Sequence, residues 1–324
     1  MSKARKPVNK KKVIKIVLIC VAGFIVFNLI GAAIGTSWSI THPKLEDYQN
    51  RSEYNDKWDL WGGFDSYDKD EYIVKGKDAY ELHVTSVSTA ATRGTGKYVI
   101  ISHGHKSNQI GVIKFIDPYI ELGFTCIIYD LRGHGVNKKA ICSMGGFEAE
   151  DLNYLIEDTF TRFGDVSILG LQGESMGSSA SLNALRYTDK VDFIVADCGF
   201  KSLKYMVHDM YNDMHLYPFG YCADLGFCLF GINDAEVSGI DALKDKGVPI
   251  LFVHGEDDTW IDVDSSKDMY EEAKKYAWSE LWLVPGAGHA ESRDRAGKDA
   301  YRDHIASFLV SAGVVDVDVE AEAA

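Results

Sequence analysis

The stretch LGLQGESMGSSASLNALRY, residues 169–187, places a polar Gly-Glu-Ser-Met-Gly between two runs of opposite character. Before it, Val166-Ser167-Ile168-Leu169-Gly170-Leu171 is short, apolar and partly β-branched, as a buried strand is. After it, residues 178–187 are rich in Ala and Leu at helical spacing. A Gly-x-Ser-x-Gly at a strand-to-helix junction has a mechanical reading. The turn is so sharp that its flanking positions must lack side chains, and the serine hydroxyl is left at the tip. The same residues also read as a plain Gly/Ser turn in which Ser175 caps the helix. Alone, the motif does not choose between the two.

The chain of 324 residues has room for one large α/β domain with appendages. Its net charge of -14 is uneven, because residues 1–15 carry Lys and Arg and no acid. An acidic body argues against nucleic acid or anionic lipid as its ligand. Residues 312–324 read as an acidic, disordered tail. Residues 16–34 are almost continuously apolar, with Asn28 the one strongly polar residue. That is about the length that crosses a bilayer core of roughly 30 Å as a helix. Lys10, Lys11, Lys12 and Lys15 on its flank favour a cytoplasmic residues 1–15 and a transmembrane signal-anchor over residues 16–35. The alternative is a cleaved signal peptide, cut near Ala32-Ala33-Ile34-Gly35, although the apolar core of such peptides is normally about 7–15 residues. The body is expected outside the cytoplasm either way, as a single-pass protein of the cell membrane or secreted. Residues 36–65, polar and aromatic without a period, read as a stalk. Of six cysteines, Cys222 and Cys228 are close enough in sequence to pair in an exported protein. No Cys or His spacing suits a metal, and no cofactor is expected.

From residue 66 to 311 the chain alternates. Strand-like runs at residues 72–75, 80–87, 98–102, 124–129, 166–171, 192–197, 249–253 and 280–284 are separated, from the third onward, mostly by helical patterns. Alternation of this kind predicts a mostly parallel sheet with helices on both faces, whose ligands bind at the carboxyl ends of the strands. Ser175 lies at such an end. Residues 201–243 break the rhythm, with Met206, Met210 and Met214 four apart among seven aromatic residues. They read as a helical insertion packing its own small core, or as a lid lining an acyl-sized pocket.

A serine hydroxyl is a poor nucleophile unless a base takes its proton and a third group orients that base. In an α/β sheet with the serine at the turn, acid and histidine follow it in that order, each in a loop after a strand. Of ten histidines, His289 lies in the glycine-rich loop Pro285-Gly286-Ala287-Gly288-His289 after the last strand, whereas His304 lies in a helix pattern. The acid falls within His254-Gly255-Glu256-Asp257-Asp258, where spacing leaves three candidates open. The oxyanion of acyl transfer needs N–H donors. Met176, directly after the serine, supplies one, and the loop His103-Gly104-His105-Lys106 supplies a second, for which the His105 amide is the candidate.

Across residues 72–310 these marks resemble the α/β-hydrolase superfamily, and within it the lidded bacterial serine hydrolases of the esterase and serine-aminopeptidase-like group. They are His103-Gly104, Asp130-Leu131-Arg132-Gly133-His134-Gly135, Gly173-Glu174-Ser175-Met176-Gly177, His254-Gly255-x-x-Asp258 and Gly288-His289. The resemblance implies Asp258 as the triad acid and structural roles for Asp130 and Arg132. It departs from the pattern at Asp262, where family members often carry proline. The expectation is a membrane-anchored serine hydrolase acting on a small-molecule ester or amide, with Ser175, Asp258 and His289 catalytic and His105 and Met176 at the oxyanion. A silent hydrolase-fold binding module and an acyltransferase are the alternatives.

Overall fold

The computed structural model describes residues 9–316. Eight strands form one sheet: β1 (Asp68–Lys75), β2 (Glu81–Ser88), β3 (Lys97–Ser102), β4 (Thr125–Tyr129), β5 (Ile168–Glu174), β6 (Phe193–Asp197), β7 (Ile250–Gly255) and β8 (Ser279–Val284). Their order across the sheet is β1-β2-β4-β3-β5-β6-β7-β8. The two pairings made by β2 are antiparallel and the rest are parallel. Runs such as TCIIY and FIVAD form central strands because both faces are covered, so alternation with polar residues is absent. Their side chains still divide with period two. Ile100, Ile127, Leu171 and Phe252 join the core on one face, and Val99, Cys126, Val195 and Leu251 the core on the other.

Eleven α-helices are described: α1 (Lys10–Thr41), α2 (Tyr48–Trp58), α3 (Ile116–Glu121), α4 (Phe147–Phe163), α5 (Met176–Ala184), α6 (Leu203–Asp213), α7 (Gly220–Leu229), α8 (Gly239–Ala242), α9 (Asp264–Ala273), α10 (Ser292–Ala296) and α11 (Lys298–Ser311). The first face is covered by residues of α4, α5 and α9, and the second by α3 and α11. Helices α6, α7 and α8 occupy the segment between β6 and β7, where the alternation is interrupted.

The sheet grows in opposite directions from β3, toward β4 on one side and β5 on the other. A switch of this kind opens a crevice at the strand ends. Here it brings the loop after β3 beside the turn after β5, with Ser102 in register with Gly173.

Residues 36–65 are not a stalk. Helix α1 is one unbroken helix of 32 residues, long and apolar enough to cross a membrane, and it continues to Thr41. Its last turns are embedded: Ala33, Ser37 and Thr41, four apart, are buried, and Ser37 Oγ donates to the Ala223 carbonyl at 2.7 Å. The Cys142 amide donates to the Thr41 carbonyl. Helix α2 is capped by Asp47 and tied down by Tyr48, whose hydroxyl donates to Asp130 at 2.6 Å. The segment has no hydrophobic period because it binds through such polar contacts with loops together with isolated apolar anchors, Leu60 and Phe64.

Two further expectations change. Cys222 and Cys228 are both free thiols and lie on the single helix α7. Six helical residues span about 9 Å, beyond the reach of a disulfide. At the other end, Val314 and Val315 fold back against the second core, and the rest of the acidic tail, residues 317–324, lies outside the described residues.

The close approach of α5 to β3 rests on Gly177, where a Cβ would overlap the Ser102 carbonyl. Gly177→Ala should therefore cost about 1–3 kcal/mol through overpacking. At about 2–4 °C per kcal/mol this lowers the thermal midpoint by several degrees. Gly247→Ala, where a Cβ meets open space, should leave it unchanged. Equal midpoints for the two variants, read by melting in detergent, would contradict the packing described.

Candidate active site

Ser175 stands between the end of β5 and the start of α5 with φ 55° and ψ -116°. A side chain rarely adopts a positive φ of this kind, and the surroundings must impose it. A Cβ at Gly173 would strike the Gly177 carbonyl, so both glycines of the motif serve close backbone contacts. The Ser175 amide is held by the Asp197 carbonyl at 2.9 Å. Its hydroxyl makes no cap to the helix. Instead Ser175 Oγ lies 3.0 Å from His289 Nε2, so the hydroxyl is directed at an imidazole and not at the helix.

His289 Nδ1 lies 2.7 Å from Asp258 Oδ2. Asp258 follows β7 and its carboxylate is fully buried. Oδ1 accepts from the amides of Trp260 at 2.8 Å and Ile261 at 3.0 Å, and Oδ2 also faces His254 Nε2 at 3.2 Å. Burial pushes the carboxyl up, but the bonds from His254 and His289 outweigh it and hold Asp258 below the usual carboxylate range. For His289, burial acts to lower the imidazole, yet the bond to Asp258 prevails and the pKa is raised above 6.5. With Asp258 ionised, His289 keeps its proton on Nδ1 and turns a basic Nε2 toward the serine. Asp257 and Glu256 are exposed. Gly255 allows the acid loop to close on the histidine loop, since a Cβ there would overlap the Ala287 carbonyl.

The loop after β3 lies against the serine, with a Cβ built on Gly104 only 3.5 Å from the Ser175 Cβ. His103 clamps this loop: Nδ1 donates to the Gly104 carbonyl at 2.8 Å and Nε2 accepts from the Leu131 amide at 3.0 Å. Burial first, and His134 second, hold His103 well below 6.5 and hence neutral. The His105 side chain turns away and donates from Nε2 to the Ile40 carbonyl of α1 at 2.8 Å, and burial lowers it to about 4. Met176 is the first residue of α5, so its amide has no acceptor within the helix. Asp130 and Arg132 brace the neighbouring loop: Asp130 accepts from the Gln109 and Val136 amides, and Arg132 binds Asp151 through two nitrogens.

Several contributors are not apparent in the sequence. Lys114, alone in an apolar run, is buried with Nζ 2.6 Å from Glu174 Oε2 and donates to the Ala290 carbonyl, next to His289. Burial opposes its charge, but Glu174 and Asp294 more than compensate and raise its pKa. Asp197, fully buried beneath the turn, accepts from Ser292 and Tyr301, and burial with the Glu174 charge pushes it up to about 6. Trp260 is largely exposed and stacks on His289, ring centres 6.3 Å apart. Beside it, a cleft of about 210 Å³ is lined by Met206, Met210 and Met214 on one side and Trp260 and Ile261 on the other. The methionine spacing is the one signal of this wall visible in the sequence.

Comparison with known proteins agrees with this architecture. A family model described as alpha/beta hydrolase fold matches residues 99–220. An uncharacterized protein of Bacillus subtilis, YqkD, is 28% identical over 266 residues, 80% of this chain and 85% of that protein. YfhR of Escherichia coli, also uncharacterized, is 26% identical over 66% of this chain and 70% of its own length. Among solved structures, an esterase of Pyrococcus furiosus, Pf2001, superposes with a TM-score of 0.62 at 20% identity, covering 78% of this chain and 95% of that one. The Pyrococcus horikoshii acylaminoacyl peptidase gives 0.59 at 15% identity, over 76% and 42%. Sheet order, the glycine-flanked serine turn and these likenesses together give the chain the α/β-hydrolase fold.

Proposed function

We propose that this protein is a serine hydrolase that cleaves an ester or small amide through a covalent acyl-enzyme, held to a membrane by α1. The observation that carries the reading is the unbroken chain from Ser175 Oγ through His289 to the buried carboxylate of Asp258. Ser175 attacks the acyl carbon while His289 Nε2 takes its proton, and Asp258 stabilises the imidazolium that forms. The amides of Met176 and His105 face the developing oxyanion, one at a helix N-terminus and the other on the clamped loop beside the serine. His289 then protonates the leaving group, and water repeats the sequence in reverse to release the acid.

For α1, the basic flank at Lys10–Lys15 and the absence of Lys or Arg over residues 36–43 favour a spanning helix with the catalytic body on the outer side. Retention is favoured over cleavage near residue 35, because a cut there removes Ala33 from its buried place beside the lid.

Three outcomes test this reading. Ser175→Ala should reduce hydrolysis of p-nitrophenyl acetate by on the order of 10⁴–10⁶ and abolish labelling by a fluorophosphonate probe, with the melting curve intact. Labelling that persists in the folded variant would exclude Ser175 as the nucleophile. Asp258→Asn should lower kcat by on the order of 10⁴ through the wrong histidine tautomer, whereas Asp257→Asn should stay near wild type. The third concerns pH. The base works only when neutral, and a raised His289 pKa means the neutral form is lost at a higher pH than for an ordinary histidine. The acid limb of kcat/KM should accordingly inflect above about pH 6.5 and move lower in Asp258→Asn. An inflection below that value in the wild type would contradict the ion pair.

A further inference from the structure

Among the described residues, one face of the lid stands largely exposed. On α7, Tyr221, Leu225 and Leu229 follow at four-residue spacing and are 53%, 53% and 65% exposed, and Tyr217 continues the row at 56%. Single exposed apolar residues are ordinary, whereas a contiguous row along one helix marks a contact surface. The opposite face of α7 is occupied. Gly226 packs on Ser37 and Ile34, where a Cβ would come within 2.6 Å of Ser37 Oγ and 3.2 Å of Ile34 Cα. Thr36 meets Tyr211 of α6 at 2.8 Å. The exposed row therefore belongs to the helix that grips the end of α1.

That attachment sets its depth. The apolar run of α1 ends at Ile34, and the helix carries on to Thr41 without a break. At about 1.5 Å per residue, Ser37 stands roughly 4–5 Å beyond Ile34. Each headgroup layer is about 5–7 Å thick, taking a bilayer of about 40–45 Å with a core near 30 Å. If α1 spans, α7, which packs on both Ile34 and Ser37, lies where the apolar core meets the headgroup layer. Trp38 on α1 is half exposed and stacks on His42 at 3.7 Å, and with Tyr217 and Tyr221 it supplies the aromatic residues that favour this layer. The single charge on α7, Asp224, is turned to His208 and Lys204 rather than left on the row.

We propose that the exposed row of α7 is a membrane-contact surface, seated at the boundary of headgroups and acyl chains of the bilayer that α1 crosses. The inference rests on the anchor reading of α1 and not on the chemistry at Ser175. The catalytic body thus lies on the bilayer, with its lid as the contact, instead of standing off on a tether. Attraction is apolar: α7 has no Lys or Arg. Seating should be the same on zwitterionic and anionic lipid and insensitive to salt.

The test uses the full-length chain in phosphatidylcholine vesicles. Cys228, exposed on α7, is labelled with an environment-sensitive fluorophore in a Cys20→Ser, Cys222→Ser background. Tyr154→Cys on α4 serves as the body control, with Cys228→Ser added. The Cys228 label should emit to the blue and be quenched by lipid carrying a shallow nitroxide but not by aqueous iodide, with the control the reverse. Leu225→Asp with Leu229→Asp should return the label to water while the protein stays in the carbonate-washed pellet and still hydrolyses p-nitrophenyl acetate. A label quenched by iodide as strongly as the control, in protein that remains in the pellet, overturns the docking and leaves the anchor intact. A label shielded from both quenchers, together with disulfide-linked dimers of the unlabelled protein through Cys228 on mild oxidation, shows a second copy on the row and also overturns the docking. Release of the protein by carbonate overturns the anchor and the docking together.

Discussion

The carbonyls of Ser102 and His103 at the end of β3 leave no space for a side chain at Gly177, and the Gly177 carbonyl leaves none at Gly173. This mutual approach of α5, β3 and β5 forces the chain to turn within one residue, and that residue is Ser175 at φ 55°. The strain is borne by a fully buried parallel sheet on both sides of the turn, which can impose it because the surrounding strands are locked in register. From this constraint follow the exposure of the hydroxyl, the position of the Met176 amide at the head of α5 and the adjacency of the Gly104 loop. The histidine and acid then need only be delivered by the loops after β8 and β7.

Charge beneath the turn is arranged to hold those loops. Lys114 reaches Glu174 in the turn and the Ala290 carbonyl in the histidine loop with the same ammonium, so one buried cation spans both. A buried pair of this kind is weak evidence of net stability, but removing one partner leaves an uncompensated charge at a cost of about 3–5 kcal/mol. The positive group also offsets Glu174, Asp294 and Asp197, three carboxylates gathered close to the site. The arrangement at Asp258 works in the opposite sense. Two loop amides and two imidazoles hold it ionised despite burial, and an ionised carboxylate is what orients His289.

How much of this was legible in the sequence depended on where each group's partners lay. The central strands were readable because YVII, TCII and ILFV are apolar on both faces, and the serine turn because its glycines are adjacent in sequence. Asp258 was separable from Asp257 only through the motif resemblance, since spacing alone does not say which carboxylate turns inward. Lys114 was not legible: a lone lysine in an apolar run resembles a surface position, and its partners come from 60 and 176 residues away. The same holds for residues 36–65. Their polar, aperiodic composition resembles a linker, yet the segment is tied to loops of the body, as the Tyr48 hydroxyl is to Asp130 and the Glu46 amide to the Lys106 carbonyl.

The end of α1 touches both sides of the site. It packs on α7 through Ser37, and through the Ile40 carbonyl it receives the His105 side chain from the loop that lies against Ser175. His105 is buried and neutral, so this bond is an imidazole N–H to a carbonyl with no charge to titrate across the neutral range. A helix that is rigid from Lys10 to Thr41 cannot tilt without carrying these contacts with it. Helix α7 and the His105 loop are therefore referred to one element, which is also the element long and apolar enough to cross a bilayer. Any seating of α1 in a bilayer would therefore fix how α6, α7 and the His105 loop face it.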